Sequence, residues 1–334
     1  MRLKEPFKIV KSTGYNYIFN MKNGFFVRWG KSKDDDPPFS PFGPELLDIE
    51  VSTICHGGCE WCYKSNKKEG KKMTFNTFKK VLDKVPPILT QVAFGVGDLD
   101  ANPDLWKMFE YCRQKMVIPN ITINGNDING DLAKKLTKNC GAVAVSHYND
   151  DKCFNAVKLL TDKGLKHVNI HKLVCGETEK DCYALFEKCK SDLRLKRLNA
   201  ILLLSLKRKG RGVKFHALES SRFSRLVNYA LRNKISIGFD SCSTHNLLKA
   251  VKDNDNYETF NLMVEPCESS CFSYYINVEG IGYPCSFLEG ENGYRGINIK
   301  EIPDFLKDAW YHDFTVNFRN KLLKNNRICP QFKI

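Results

Sequence analysis

The sequence has no long hydrophobic run. None of its 334 residues belongs to a stretch of about 18 consecutive apolar residues, the length of a membrane span. The first twenty residues scatter Lys and Arg where a secretion signal would have an apolar core. Long blocks of like charge and low-complexity tracts are also missing, which argues against wholesale disorder. We therefore expect a folded, cytoplasmic protein with no membrane partner.

Cysteine, in contrast, is abundant. The chain has 14 cysteines, and in a reducing compartment such a set is a poor fit to a disulfide framework. Metal binding, catalysis or plain burial remain, and the spacing of the cysteines has to separate these alternatives.

Positive charge is in excess, with a formal net charge of +14. This value fits either a solvated, lysine-rich surface or an anionic substrate or partner, such as a nucleotide or a nucleic acid. No recognised nucleic-acid-binding motif accompanies the charge.

The apolar pattern divides the chain into three parts. Residues 1–44 read as a β-hairpin around Asn23-Gly24, followed by a proline-rich linker from Asp34 to Pro44. Residues 45–235 alternate strand and helix in six units, which predicts a parallel sheet with helices outside it. Residues 236–334 lose this alternation and are predicted to form a smaller domain. We expect an α/β fold, a partial (β/α)6 TIM-like barrel rather than a doubly wound sheet, although periodicity alone does not separate the two.

A compact cysteine motif directly follows the first predicted strand of the barrel. It reads Cys-His-Gly-Gly-Cys-Glu-Trp-Cys over residues 55–62. Three thiolates can hold three irons of a cubane cluster and leave the fourth iron open to a ligand. A zinc site is the alternative, but zinc favours four ligands, and His56 follows Cys55 too closely to serve well as the fourth.

This motif resembles the C-x3-C-x-Φ-C pattern of the radical S-adenosylmethionine (SAM) superfamily, with Trp61 at the aromatic position Φ. The resemblance implies a [4Fe-4S] cluster held by Cys55, Cys59 and Cys62, with SAM bound at the open iron. It also implies reductive cleavage of SAM to a 5′-deoxyadenosyl radical, which abstracts hydrogen from a substrate. The electron would come from a donor such as flavodoxin or ferredoxin.

Further residues match the superfamily at the carboxyl ends of later strands, where the chemistry of such barrels lies. Gly95, Gly97 and Asp98 match its Gly-Gly-Glu motif, which contacts the SAM amino group, although Val96 interrupts the glycines and Asp replaces Glu. Asn124 and Ser146 match positions that touch the SAM ribose or carboxylate. Ordinary turns and local caps are the alternatives for all of these residues.

Two residues are predicted to be catalytic. His171 is expected to face the barrel cavity near the substrate, with a satisfied core histidine as the alternative. Lys207 opens the basic run Lys-Arg-Lys-Gly-Arg-Gly over residues 207–212, which is expected to bind an anionic substrate group or the SAM carboxylate. A solvated basic loop is the alternative there.

A second set of cysteines lies in the C-terminal part. Cys267, Gly280 and Cys285 have the spacing C-x12-G-x4-C, which resembles the auxiliary-cluster domains called SPASM and Twitch. The resemblance implies a second [4Fe-4S] cluster, predicted to be held by Cys242, Cys267, Cys285 and Cys329. Cys271 is the rival of Cys267. The remaining six are expected to be small core residues, namely Cys112, Cys140, Cys153, Cys175, Cys182 and Cys189.

Together these features predict a radical SAM enzyme that abstracts hydrogen from an unidentified substrate. The basic balance favours a nucleotide or a nucleic-acid base as that substrate. The alternatives are a peptide or protein side-chain maturase of the same superfamily, a non-catalytic iron–sulfur protein for electron transfer or redox sensing, and a zinc-binding interaction module.

Overall fold

The computed structural model describes residues 6–32, 35–126 and 128–332. It begins with a three-stranded antiparallel sheet of β1 (Phe7–Val10), β2 (Asn16–Asn20) and β3 (Phe26–Trp29). The predicted hairpin is β2–β3, and Gly24 in its turn has a φ of +74°, a conformation that glycine adopts without strain. Strand β1 was not predicted. Asp34, the first residue of the predicted linker, lies outside the described residues.

This small sheet packs against the C-terminal part of the chain. Strand β2 points Tyr17 and Phe19 to one face, as the period of two requires. Both side chains are fully buried, in a cluster that also contains Phe272 and Phe318. Burying a large apolar side chain stabilises a fold by roughly 1.5–3 kcal/mol. The N-terminal strands are therefore anchored by apolar contacts to a region far along the sequence.

Six parallel strands and six helices follow in strict alternation, which confirms the predicted partial (β/α)6 barrel. The strands neighbour one another in chain order. The elements are β4 (Leu46–Glu50), α1 (Phe75–Lys84), β5 (Gln91–Gly95), α2 (Leu105–Gln114), β6 (Ile118–Ile123), α3 (Gly130–Asn139), β7 (Ala142–Ser146), α4 (Asp150–Asp162), β8 (His167–Val174), α5 (Glu179–Ser191), β9 (Ala200–Ser205) and α6 (Ser220–Arg232).

Local sequence explains these elements. Helix α1 begins after Thr74, whose side chain accepts a hydrogen bond from the Thr77 backbone N–H, an N-cap. Its buried residues Phe78, Val81 and Leu82 follow helical spacing and face the sheet. The helix ends before Pro86, which cannot continue it.

The sheet does not end at the predicted boundary after residue 235. Strand β10 (Ile237–Phe239) pairs in parallel with β9, and β11 (Ser273–Ile276) pairs in parallel with β4. Strands β12 (Ile281–Tyr283) and β13 (Ile297–Asn298) extend it further, each antiparallel to its neighbour. The C-terminal region is therefore built onto the edge of the barrel sheet, beside the strand that leads into the first cysteine motif.

Three helices complete the C-terminal region: α7 (Thr244–Ala250), α8 (Tyr257–Met263) and α9 (Asp313–Lys324). The buried residues of α9 include Phe318 and Leu322, which join the cluster beneath the N-terminal sheet. Across the part of the chain that the structure describes, no helix has the length and apolar character needed to cross a membrane.

The two faces of the barrel strands differ in chemistry. On β4, Leu47 and Ile49 belong to the main apolar core that includes the helices. The alternate residues Asp48 and Glu50 lie on the other face. In the cross-strand register this face continues through small or polar residues, including Ala93, Gly95, Asn120, Thr122, Ala144, Ser146, Asn169 and His171. The interior of the barrel is therefore polar, with room left by small side chains.

Candidate functional site

The first cysteine motif lies on the loop after β4. Cys55 is held by a backbone hydrogen bond of 2.7 Å from its N–H to the Lys67 carbonyl, and Cys62 N–H donates to the Cys59 carbonyl at 3.3 Å. All fourteen cysteines are free thiols, and the three of the motif are partly exposed. Five of the six barrel cysteines that were expected to be core residues are buried, and Cys189 is partly buried. The motif cysteines are therefore the accessible ones near the barrel edge.

The thiols of the motif are close together. Cys59 and Cys62 form a side-chain hydrogen bond, which holds the pKa of the Cys62 thiol well below its usual range. Backbone N–H groups of Asn66 and Lys64 lower this pKa further, against the opposing effect of burial. Cys55 accepts a hydrogen bond from Gly57 N–H at 3.3 Å. These donors favour the thiolate form of Cys62, the form that binds iron, whereas the same hydrogen bond raises the pKa of the Cys59 thiol.

A cluster and a single ion require different arrangements of ligands. Within residues 6–32, 35–126 and 128–332, no three His, Cys, Asp or Glu side chains converge as the ligands of one ion would. A cubane cluster binds each thiolate to a different iron, so its ligands surround a volume. Arg211 supplies a further indication, because its Nη2 is buried beside this loop without a partner among the described residues. A positive donor of this kind suits an anionic group such as an iron–sulfur cluster.

The predicted glycine motif packs directly on the cysteine loop. A Cβ atom at Gly97 would overlap the Ile54 carbonyl oxygen and the Cys55 Cβ, so only glycine allows this approach. Asp98 then reaches His56: one of its oxygens lies 2.8 Å from the His56 backbone N and 2.7 Å from His56 Nδ1. Its other oxygen accepts from Asn124 Nδ2 at 2.8 Å. The contact of Asp98 with SAM stays a prediction, and its bond to His56 was not foreseen.

The other predicted residues meet at the same edge of the barrel. Asn124 joins Asp98, and Ser146 and His171 are cross-strand partners on β7 and β8. Burial lowers the pKa of His171 to about 4, so the imidazole is neutral near pH 7. Asp98, Asn124, Ser146 and His171 therefore follow one another across four neighbouring strands, with His171 inside β8 rather than at its end.

Trp61 is enclosed by aromatic side chains. Its ring lies 5.9 Å from the ring of Tyr148 and 5.8 Å, edge to face, from that of Phe215. Tyr148 also lies beside Cys59 and Ser146, close enough to influence the pKa of the Cys59 thiol. The sequence analysis missed Tyr148, although an aromatic residue directly after a strand end was the available signal.

The cations of the basic loop after β9 have partners within the protein. Lys207 pairs with Asp240, and Lys209 donates to the Glu291 carboxylate at 2.6 Å. Arg211 donates to the carbonyl oxygens of Cys59 and Asn66. These cations are engaged within the protein, because the tertiary structure brings carboxylates and carbonyls against them. The charges of Lys207 and Lys209 are paired with carboxylates, and Lys207 lies on the wall of the second cysteine site. The catalytic role of Lys207 stays a prediction.

The four predicted auxiliary cysteines line one cavity. Cys242, Cys267, Cys285 and Cys329 meet there, although they come from four separate segments. The rest of the wall is Lys207, Ser269 and the apolar side chains Phe287, Leu288, Phe318 and Phe332. A polynuclear cluster with four thiolate ligands fits this arrangement in donor number and in the apolar shell around it.

The structure separates Cys267 from its rival. Both residues belong to the apolar cluster under the N-terminal sheet, but Cys267 lines the cavity and Cys271 does not. The Cys271 carbonyl accepts from Ser40 N–H at 2.8 Å. Cys271 is therefore a core residue, and Cys267 is the candidate ligand.

A separate cavity of about 470 Å³ lies between the segment after the first motif and the β11–β12 hairpin. At its base, Lys64 bridges the carboxylates of Glu50 and Glu289. At its rim, Lys71 pairs with Glu279 at 2.8 Å. The cavity therefore presents charges of both signs, mostly already paired.

Solved structures resemble this chain over most of its length. SuiB from Streptococcus suis, bound to the precursor peptide SuiA, superposes with a TM-score of 0.73 at 14% identity, covering 95% of this chain and 90% of SuiB. SuiB bound to S-adenosylmethionine gives a TM-score of 0.71 at 13% identity, with coverages of 96% and 90%. Native anSMEcpe with bound AdoMet and the Cp18Cys peptide gives 0.59 at 17%, with coverages of 81% and 82%.

No protein-family model and no curated protein matches the sequence. The structural similarity is thus found without detectable sequence similarity, and at these identities it establishes the fold. This chain therefore shares the fold of SuiB and anSMEcpe, both of which were solved with bound S-adenosylmethionine. This result confirms the fold expected from the cysteine motif and the six strand–helix units.

Proposed function

We propose that this protein is a radical SAM enzyme. It binds a [4Fe-4S] cluster through Cys55, Cys59 and Cys62 and cleaves SAM reductively with an electron from a flavodoxin- or ferredoxin-like donor. The observation that carries this proposal is the three-cysteine loop at the carboxyl end of β4, with Asp98, Asn124, Ser146 and His171 across the neighbouring strands. When bound, the cluster would pass the electron to SAM. The chain's own residues would orient SAM at the polar edge of the barrel.

The substrate that fits best is a peptide or a protein side chain. SuiB, whose fold this chain shares, was solved with its precursor peptide, and anSMEcpe was solved with a peptide. The earlier expectation of a nucleotide depended on the net charge and on the basic loop at residues 207–212. Lys207, Lys209 and Arg211 of that loop are bound internally, so they offer no site for a polyanion.

The test of the enzyme class starts from anaerobically reconstituted protein. After reduction with dithionite, the wild type should convert SAM to 5′-deoxyadenosine, measured by liquid chromatography. Replacing Cys55, Cys59 and Cys62 together with Ala should abolish this product, because no thiolate remains to hold the cluster. Replacing the core residue Cys112 with Ala is the matched control and should leave the product unchanged. Undiminished cleavage by the triple variant would contradict the proposal.

The same assay separates the other classes. A non-catalytic iron–sulfur protein would be brown but would form no 5′-deoxyadenosine, and a zinc module would be colourless and contain zinc. The substrate is tested with synthetic peptides that match short reading frames next to the gene. Such a peptide should accelerate 5′-deoxyadenosine formation, and its own mass should change. Nucleoside triphosphates and transfer RNA should do neither.

We also propose that Cys242, Cys267, Cys285 and Cys329 bind a second [4Fe-4S] cluster. Their convergence on one cavity supports full ligation by four thiolates. Iron analysis should give about eight irons per chain in the wild type and about four after Cys285 and Cys329 are replaced with Ala. The Cys271→Ala variant should retain the wild-type iron content. A wild-type value near four, all of it lost with the first motif, would contradict the second cluster.

A further inference from the structure

The basic loop at residues 207–212 packs across the first cysteine motif. Gly210 has a φ of +57°, and a Cβ there would overlap the Tyr63 carbonyl oxygen. A Cβ at Gly212 would lie 3.2 Å from the Trp61 carbonyl oxygen. Glycine at both positions therefore lets the backbone of this loop lie against residues 61–63.

Arg211 lies between these two glycines and binds the cysteine loop three times. Its backbone N–H donates to the Cys62 carbonyl at 3.0 Å. Its Nε donates to the Cys59 carbonyl at 2.9 Å, and its Nη1 donates to the Asn66 carbonyl at 3.0 Å. All three acceptors belong to residues 59–66, the arc that carries two of the three thiols. The guanidinium is thus fixed beside Cys59 and Cys62.

The remaining nitrogen of this guanidinium, Nη2, is buried and meets no acceptor among the described residues. Leaving a buried donor without an acceptor is unfavourable, and more so for a charged group. Its position inside the arc of the cysteine loop points to an acceptor that belongs to the same site.

We propose that Arg211 is a positioning residue of the first cluster, and that its Nη2 donates a hydrogen bond to the cluster sulfur or to the Cys62 thiolate. This inference rests on the proposed function, because it assumes that the loop binds a cluster. A donor to the sulfurs stabilises the reduced state more than the oxidised one, since the reduced cluster carries one more negative charge. Hydrogen bonds of this kind raise the reduction potential of a cluster.

The test compares four reconstituted full-length proteins: wild type, Arg211→Met, Arg211→Lys and Arg208→Met. Arg208 is the matched control, because it lies in the same loop and, among the described residues, its side chain bonds only to the Val213 carbonyl. An anaerobic redox titration followed by electron paramagnetic resonance gives the midpoint potential. The first cluster is identified as the one whose electron paramagnetic resonance signal changes when SAM is added, and its potential is the one compared. Iron loss to a chelator is measured in parallel.

Arg211→Met should lower the midpoint potential and speed iron loss several-fold, whereas Arg208→Met should match the wild type. Arg211→Lys should lie between, because it keeps the charge and loses the fork of donors. Faster iron loss at an unchanged potential would show a loop clamp only and would overturn the donation. If Arg211→Met does not fold, a wild-type potential in Arg211→Lys overturns the inference and a lowered one supports it. A wild type that binds no cluster at all would instead refute the proposed function.

Discussion

Asp98 offers the sharpest test of how SAM is held. An ionised carboxylate has about four acceptor positions. His56 N and His56 Nδ1 lie at two of them, at 2.8 and 2.7 Å, and Asn124 Nδ2 takes a third at 2.8 Å. One position remains, on the oxygen that faces Asn124. The side chain is only 13% exposed, so a SAM ammonium there would meet a carboxylate that is already oriented.

Replacing Asp98 with Asn keeps the size of the side chain and removes its charge. A hydrogen bond to a charged group contributes roughly 1.5–3 kcal/mol, so the dissociation constant for SAM should rise by about tenfold to a hundredfold. Asp98→Glu restores the residue that the superfamily usually has, and it should bind SAM within a few-fold of the wild type. Asp100→Asn changes an exposed carboxylate two residues away and should have no effect.

Equilibrium binding of SAM, measured anaerobically on proteins of matched iron content, decides the matter. His56→Ala separates the two roles of Asp98. The His56 ring is 64% exposed, and exposed pairs are worth only up to about 1 kcal/mol, so this variant should stay within about fivefold of the wild type. An unchanged dissociation constant in Asp98→Asn would refute the SAM contact. Equal losses in Asp98→Asn and His56→Ala would show that Asp98 acts only through the loop.

Three further predictions concern the scaffold. Gly97→Ala should lower the iron content of the first site, because the added methyl overlaps the backbone before Cys55, whereas Gly130→Ala, in open space, should leave it unchanged. Burial lowers the pKa of His171 to about 4. As the pH falls, the unfolded chain therefore protonates this histidine at a higher pH than the folded protein does. The free energy of unfolding, measured in urea, should therefore fall by up to about 3 kcal/mol between pH 6.5 and 4. The fall should be smaller in His171→Asn. Arg28→Met should lower the free energy of unfolding by about 3–5 kcal/mol, because it leaves the buried Glu45 carboxylate without its ion-pair partner. Replacing the exposed Lys31 with Met should lower it by less than about 0.5 kcal/mol.

The C-terminal region shows where sequence reasoning reached its limit. The attachment of β11 to β4 was not predicted, because the two strands lie more than two hundred residues apart. Strands β10 and β13 have three and two residues, too few for any periodicity to be detected. Parallel pairing at a sheet edge depends on which strand backbone remains unpaired after the barrel forms. Local sequence does not indicate which strand that is.

Burial also decided between alternatives that spacing left open. Both Cys267 and Cys271 precede Gly280 at plausible distances, but only Cys267 reaches the cavity. Likewise, the sequence of the basic loop does not indicate whether the loop is solvated, binds an anion or forms ion pairs within the protein. The carboxylates and carbonyls that bind Lys209 and Arg211 come from segments roughly 80 and 150 residues away.

The sequence by itself predicted the barrel and the cysteine motif proposed as the first site. The cysteine motif spans eight residues, and the alternation of strand and helix depends on neighbours a few positions apart, so both are written in local sequence. The tertiary structure alone decided what the sequence left open or did not indicate: Cys267 rather than Cys271 at the cavity, Asp98 against His56, and Arg211 against the cysteine loop. These contacts depend on the packing of whole elements, because a side chain several strands away in the chain becomes a neighbour only after the sheet has formed.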